Sequence, residues 1–200
     1  MTPTPTDRLQ FYSLSHRWGH GMPQWPSRAN LNVIVQEFHA KDGILVQRFE
    51  GIMHRGTHMD AAIHTTENTA TLTGYDLWRF FGTGVAVSVP KGKWGVIMPE
   101  DLEKAEPRIE KNDIVMINTG SHRLWGDNPD YFAYSPGLYK ESAEWLVERQ
   151  ATLVVIEHME QGRGAVRKRR TPVARVVPLA RGLHLDDVVI FLVAAEIRAF

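Results

Sequence analysis

The chain has 200 residues, a length that suits a single domain, and 43% of them are apolar and 10% aromatic. This composition excludes a chain that is disordered throughout. The 23 basic and 23 acidic residues balance to zero formal charge, which argues against a general polyanion binder. Cysteine is absent, so there are no disulfides or thiolate zinc sites, and any metal must be bound by histidine and carboxylate side chains.

No part of the sequence indicates a membrane segment or a secretory signal. The N-terminal residues MTPTPTDRLQ contain no apolar signal-peptide core, and no run approaches the ~18 apolar residues of a membrane span. We therefore expect a cytoplasmic protein that does not bind membranes.

Five segments have the apolar pattern of β-strands, and two others have helical character, at residues 99–105 and 138–150. The residues Ala40–Gly43 are typical of a turn between the first two strands. The predicted strands are residues 31–38, 43–51, 84–89, 113–118 and 151–156. Strands first, followed by a strand–helix–strand unit, indicate an α/β or α+β fold, and we expect a mixed α/β fold in one domain.

The charge is distributed unevenly along the chain. Residues 1–160 hold 15 basic and 20 acidic side chains, whereas residues 161–200 hold 8 and 3. We expect residues 161–181, which carry seven basic side chains and no acidic one, to be poorly ordered. The basic run 167–170 is typical of a solvated segment rather than a nucleic-acid site, so no nucleic-acid partner is expected. The apolar run 188–195 predicts a last strand.

Three of the nine histidines lie within eleven residues, together with an aspartate: His54, His58, Asp60 and His64. A helix would point Asp60 away from His58, and a straight strand would place His54 and His58 roughly 13 Å apart. A chain that bends at Gly56 can bring His54, His58 and Asp60 to one ion. Two imidazoles and a carboxylate suit Zn²⁺ or Mn²⁺, and His64 is close enough in sequence to exchange a proton there.

The segment HRGTHMDAAIH resembles the signature HxGTHxDxPxH of the cyclase family of metal-dependent hydrolases, which includes bacterial kynurenine formamidase and isatin hydrolase. The upstream sequence LSHRWGHGMPQWP and the helix and strand at 138–156 also resemble this family, so the likeness covers about residues 10–156. Ala62 replaces the usual proline of the signature, an exchange that concerns loop rigidity rather than ligand chemistry.

The resemblance implies a swivelling β/β/α architecture and a homodimer or higher homo-oligomer. It also implies that His54, His58 and Asp60 are metal ligands, that His64 is the catalytic acid and base, and that Trp18 lines the substrate pocket. An indole in a loop rich in Gly, His and Pro is in any case a suitable flat wall for an aromatic substrate.

Other aromatic and histidine side chains are weaker candidates for the site. Core positions are expected for four aromatic residues, Trp25, Trp78, Phe80 and Phe81. His20 and His122 are polar candidates for the pocket.

The resemblance ends after Ile156, which divides the chain into a cyclase-like part, 1–156, and an atypical Arg-rich tail, 157–200. Two explanations fit the tail: a divergent second half, or a replaced C-terminus. His184 and Glu196 are twelve residues apart, the spacing of two further ligands in the family, and are therefore additional ligand candidates.

These features predict a metal-dependent hydrolase that cleaves a carbon–nitrogen bond of an amide or cyclic amide, such as an aryl formamide or an isatin-like compound, by metal-activated water. The alternative is a catalytically impaired metal-binding homologue whose tail lacks the remaining ligands.

Overall fold

A computed structural model of the chain describes residues 14–24, 28–64, 67, 69–126, 129–156 and 189–192. The described part begins with an antiparallel hairpin of β1 (Asn32–Glu37) and β2 (Val46–Glu50), joined through the short helix α1 (His39–Asp42). After a long irregular segment, the remaining elements follow in this order: β3 (Gly84–Ser88), β4 (Val96–Ile97), α2 (Pro99–Glu103), β5 (Ile114–Asn118), α3 (Pro129–Tyr134), β6 (Gly137–Leu138), α4 (Lys140–Glu148), β7 (Leu153–Ile156) and β8 (Val189–Leu192).

The main sheet contains four parallel strands in the order β3-β5-β7-β8. All five strands predicted from the sequence between 31 and 156 are confirmed, with slightly shorter bounds. β7 is buried along its whole length, as expected for an inner strand of a parallel sheet. At Gly84, the first residue of β3, a Cβ would clash with the carbonyl oxygen of Ile114, so only glycine lets the two strands approach this closely.

The two faces of this sheet pack against different parts of the chain. On one face, Val115, Ile117 and Val154 form the main core with Leu102 of α2 and Leu146 of α4. On the other face, the covering residues come from loops and a short 3-10 turn rather than from α-helices, and they include Leu14, Met59, Tyr75 and Phe80. Met59 lies between His58 and Asp60, so the histidine-rich loop is anchored on this face.

The helix predicted over 138–150 begins two residues later than expected. Leu138 belongs to β6, which pairs in parallel with β4, and the Tyr139 amide donates to the Ile97 carbonyl at 3.0 Å. These strand hydrogen bonds hold Leu138 in an extended conformation, and the helix follows at Lys140. Its buried side includes Ser142, whose hydroxyl donates to the same Ile97 carbonyl at 2.6 Å.

Two of the aromatic residues expected in the core are exposed. The segment Leu77–Phe80 is a 3-10 turn, in which successive side chains point in directions about 120° apart, so adjacent residues cannot all face the core. Phe80 packs on the sheet, whereas Trp78 is 74% and Phe81 76% exposed. In the part of the chain that the structure describes, no helix combines the length and apolar character that crossing a bilayer requires.

Asp101 fastens the start of α2, and its removal is expected to destabilise the fold. Its carboxylate accepts hydrogen bonds from the Met98 amide at 2.8 Å and from Lys91 Nζ at 2.7 Å. Burial alone would raise the pKa of Asp101, but Lys91 and the Met98 amide outweigh it and lower the pKa. We expect Asp101→Ala to cost about 1 kcal/mol in free energy of unfolding, measured by denaturant titration at pH 7.

The pH dependence gives this prediction a second test. Because the pKa of Asp101 is lower in the folded chain, its contribution is complete above the unfolded value of about 3.9 and is lost as the pH falls through the folded value. The difference between the variant and the unmodified protein should therefore shrink in acid. The neighbouring Glu100→Ala, which removes an exposed acid from the same turn, is the matched control. An equal loss of unfolding free energy in both variants would contradict the role assigned to Asp101.

Candidate metal centre

The histidine-rich loop, residues 51–61, connects β2 to a 3-10 turn at Ala62–His64. Its bend lies at Gly56, which has a φ of +63°, a conformation that residues with a Cβ rarely adopt. The expected bend at this glycine is confirmed. It folds the chain back so that residues four and six positions apart meet.

The bend brings together one atom from each of His54, His58 and Asp60. His54 Nδ1 lies 2.8 Å from His58 Nε2 and 3.1 Å from Asp60 Oδ2, and the third separation, from His58 Nε2 to Asp60 Oδ2, is 3.5 Å. A tetrahedral ion with ligand bonds of ~2.0–2.2 Å separates its ligand atoms by roughly 3.3–3.6 Å. The three atoms therefore lie close to the triangle that one face of such a site requires.

A main-chain contact sets the orientation of His58. Its Nδ1 donates a hydrogen bond to the Gly56 carbonyl at 2.7 Å. The neutral imidazole with a proton on Nδ1 carries its lone pair on Nε2, which is the atom that faces His54 and Asp60. Such an outer hydrogen bond is the usual partner of a metal-binding histidine.

Asp60 provides the observation that tests the fit of a cation. Its Oδ1 lies 3.2 Å from His54 Nδ1 in hydrogen-bonding geometry. Its Oδ2 is buried, and although His54 Nδ1 lies 3.1 Å away, none of the described residues gives that atom a hydrogen bond of good geometry. A buried carboxylate oxygen without a donor is costly, and a cation bound by the same oxygen and the two imidazoles would satisfy it. The residues present therefore fit a divalent metal ion.

The charges in the cluster favour an ionised Asp60. Burial alone would raise the pKa of its carboxyl, but hydrogen bonding and Coulomb attraction from His54 and His58 hold this pKa well below its usual range. Burial would likewise lower the pKa of the His58 imidazole, but its contacts with Asp60 and the Gly56 carbonyl raise it. A metal ion competes with the proton for His58 Nε2, so metal affinity falls as the pH falls.

His64 lies beside this cluster without supplying one of its three ligand atoms. The imidazole rings of His64 and His54 are stacked, with centroids 4.6 Å apart and an interplanar angle of 9°. The 3-10 turn, closed by the hydrogen bond from the His64 amide to the Ala61 carbonyl, holds the ring in this position. Because the side chain is exposed, it can reach both water and a ligand at the cluster.

A second stretch of chain, residues 14–24 and 28–30, lies over the loop, and we call it the overlying segment. The His16 amide donates to Thr57 Oγ1 at 3.2 Å. A Cβ at Gly56 would lie 2.7 Å from Met22 and 3.4 Å from Trp18, so both side chains pack directly on this glycine. The structure thus places Trp18 next to the loop, where it also contacts the ring of Phe49 edge-on at 5.2 Å.

The other histidine candidates are not part of the cluster. Among the described residues, only His54, His58 and Asp60 form a group able to hold a metal ion. His20 is exposed, and His122 lies in the 3-10 turn Ser121–Leu124. His184, Glu196 and Trp25 lie outside the described residues, as do the predicted disorder at 161–181 and the ends of the predicted strand 188–195, and these predictions remain untested.

Arg55 lies next to the site, and no pattern in the sequence singles it out. It is only 5% exposed, although it carries a charge and lies in an irregular loop. Its burial results from contacts with residues 24 and 29, which are far away in sequence, so neither composition nor spacing indicates it. A single arginine between two histidines is the only signal available.

Fold and site together define a mixed α/β protein with a His–His–Asp cluster that can bind a divalent metal ion. The chain belongs to the Cyclase family, whose model matches residues 12–161. This match confirms the family resemblance seen in the sequence HRGTHMDAAIH.

Solved structures support the same assignment of fold. Isatin hydrolase A from Ralstonia solanacearum is 18% identical, with a TM-score of 0.73 over 92% of this chain and 78% of that one. An isatin hydrolase bound to the product analogue thioisatinate is 16% identical, with a TM-score of 0.74 over 93% and 79%. A protein described as a potential metal-dependent hydrolase with cyclase activity is 17% identical, with a TM-score of 0.68 over 94% and 82%. The mixed α/β architecture is thus that of cyclase-family structures.

Proposed function

We propose that this protein is a metal-dependent hydrolase that cleaves the carbon–nitrogen bond of an amide or cyclic amide, of the aryl formamide or isatin type. The observation that carries the proposal is the triangle formed by His54 Nδ1, His58 Nε2 and Asp60 Oδ2, one of which is a buried oxygen without a hydrogen-bond donor among the described residues. The names of the isatin hydrolases with the same fold support the substrate class.

His54, His58 and Asp60 would hold the ion, which we propose is Zn²⁺ or Mn²⁺. When bound, a divalent ion of this kind supplies Lewis acidity and lowers the pKa of water towards about 7. Asp60 contributes the negative charge that offsets part of the ion's charge. The Gly56 carbonyl keeps the proton of His58 on Nδ1 and so leaves Nε2 available.

His64 is proposed to move the proton during hydrolysis. One of its ring nitrogens accepts the proton that is released when water adds to the substrate carbonyl, and returns it to the leaving nitrogen as the carbon–nitrogen bond breaks. The stack on His54 holds the imidazole beside the reacting group, and its exposed edge allows exchange with solvent. Trp18, packed on Gly56, is proposed to give an aryl substrate a flat apolar wall at the edge of the site.

Metal content and turnover, measured on one preparation, test this proposal. The purified protein is loaded separately with Zn²⁺ and Mn²⁺, the bound metal is quantified per chain, and hydrolysis is followed on aryl formamides, isatin and lactones. We expect stoichiometric metal and turnover of at least one amide or cyclic amide that stops on chelation. Stoichiometric metal without turnover of any substrate would instead indicate a non-catalytic metal-binding homologue.

We also propose that the chain assembles into a homodimer or higher homo-oligomer through the hairpin of β1 and β2. Large apolar side chains of this region are exposed in the single chain, an arrangement typical of surfaces that another subunit covers. A two-stranded hairpin by itself is also only marginally stable in water. The exposed residues are Ile34, Val35, Phe38, Ile44, Leu45 and Phe49.

Replacement of Leu45 by glutamate is expected to shift the protein towards the monomer. Leu45 lies between α1 and β2 and is half exposed, so a charge is compatible with the single chain but not with a buried contact between subunits. Light scattering coupled to size exclusion measures the mass of each variant. Lys41→Glu, which changes charge on the same hairpin without removing apolar surface, should keep the mass of the unmodified protein. An oligomer that survives Leu45→Glu would contradict this interface.

A further inference from the structure

Arg55 is a buried cation in the loop that carries the candidate metal ligands. Its guanidinium donates through Nη1 to Gln24 Oε1 and through Nη2 to the Ala29 carbonyl. Both acceptors are uncharged, and within the described part of the chain no carboxylate pairs with Arg55 and no acceptor meets its Nε. Neither the spacing of the ligands nor the bend at Gly56 requires a cation at this position.

The contacts of the loop divide its residues into two groups. His54, His58 and Asp60 face one another, whereas Arg55, Gly56 and Thr57 all contact the overlying segment. Thr57 accepts the hydrogen bond of the His16 amide, and Gly56 lies against Trp18 and Met22. Arg55 makes the two contacts that reach furthest along the segment, on either side of residues 25–27.

We propose that Arg55 is a positioning residue, which fastens the overlying segment to the histidine-rich loop and so fixes Trp18 beside the cluster. Its planar fork holds two acceptors five residues apart, which a single-point donor such as lysine cannot reproduce. Burial of a charge without an opposite charge has a desolvation cost that offsets its hydrogen bonds, so removal of the guanidinium should change the global stability little. Arg55 therefore acts locally, on how well the overlying segment is ordered.

Limited proteolysis of the metal-loaded, full-length protein tests this inference. Trypsin can cleave after Arg17 and Arg28, which are exposed residues of the overlying segment, and after Arg108, which is exposed in a distant loop. In Arg55→Met, which keeps the apolar stem and removes the donors, we expect cleavage after Arg17 and Arg28 to accelerate about tenfold. Cleavage after Arg108, metal stoichiometry and Tm should remain at the values of the unmodified protein.

Two further variants make the test specific. Arg55→Lys should give an intermediate cleavage rate, because one ammonium can serve only part of the fork. Gln24→Ala removes an acceptor from the other side and should also accelerate cleavage after Arg17, even if Arg55→Met does not fold. Arg48→Met, at an exposed arginine paired with Glu50, is the control and should leave the cleavage rates at these sites unchanged. Unchanged cleavage in Arg55→Met, or equal acceleration at all three sites with a lower Tm, would overturn the inference.

The consequence for catalysis rests on the proposed function and is measured separately. With any substrate that the protein hydrolyses, Arg55→Met should raise KM about tenfold and leave kcat within about twofold, because the segment contacts the substrate and not the reacting atoms. If no substrate is found, the proposed function fails while the proteolysis and metal measurements still decide the role of Arg55. A loss in kcat with unchanged KM would contradict the positioning role.

Discussion

Replacement of His58 by alanine is expected to abolish stoichiometric zinc binding and, with it, hydrolysis. His58 Nε2 lies within 3.5 Å of both of its partner atoms, on His54 and Asp60, so its loss removes one corner of the triangle. Loss of an outer hydrogen-bond partner alone costs about 10–100-fold in metal affinity, and loss of a ligand should cost more. A competition titration with a chromogenic chelator measures the affinity.

A histidine outside the cluster provides the control for this result. His39 is exposed in α1, and His39→Ala should bind zinc with the affinity and stoichiometry of the unmodified protein. The fold itself should survive in His58→Ala, because the main core is formed by the sheet and by α2 and α4. If His58→Ala retained one zinc per chain at unchanged affinity, the assignment of His58 to this metal centre would be wrong.

Removal of the His64 imidazole is expected to leave zinc in place and to reduce the rate of hydrolysis by about 10²–10⁴-fold, the usual contribution of a general acid or base. His64 is not needed to complete the triangle, and its ring stacks on His54, a candidate ligand, rather than adding a nitrogen to the cluster. The measurement is kcat for His64→Ala at full zinc occupancy, confirmed by metal analysis of the same sample.

A second substitution separates proton transfer from stacking. His64→Phe keeps a flat ring on His54 but has no nitrogen to carry a proton. If the role is acid and base catalysis, phenylalanine should be as slow as alanine. If the role is only to support His54, phenylalanine should restore most of the rate, and the catalytic assignment would then fall.

Much of the fold and the heart of the candidate site could be predicted from local sequence. The strands of the main sheet, β3, β5 and β7, have strong apolar patterns because many of their side chains are buried. The strands β1 and β2 are also apolar, although most of their side chains are exposed in the single chain. The cluster was predictable because its candidate ligands lie within seven residues, and only one bend, at Gly56, is needed to bring them together. Because these residues are so close in sequence, the local sequence alone is enough to predict that they meet.

Features that depend on distant contacts could not be predicted in this way. The pairing of β4 with β6 involves two residues on each side, too few to leave a pattern, and it shortens the helix at Leu138. Trp78 lies in a 3-10 turn and Phe81 directly follows it in an extended conformation, and composition reveals neither their conformation nor their exposure. The contacts of Arg55 join residues 26 and 31 positions apart, so its role became visible only in three dimensions.

The hydrogen bond from His58 to the Gly56 carbonyl has a consequence for how this loop tolerates mutation. Its acceptor belongs to the main chain, so no exchange of a neighbouring side chain can delete it, whereas a carboxylate in the same role would be lost by one substitution. Only a change of backbone conformation removes it, and the φ of +63° restricts position 56 to glycine. Substitutions at positions 55, 57 and 59 can therefore change the surroundings of the candidate ligands without moving the proton of His58 from Nδ1.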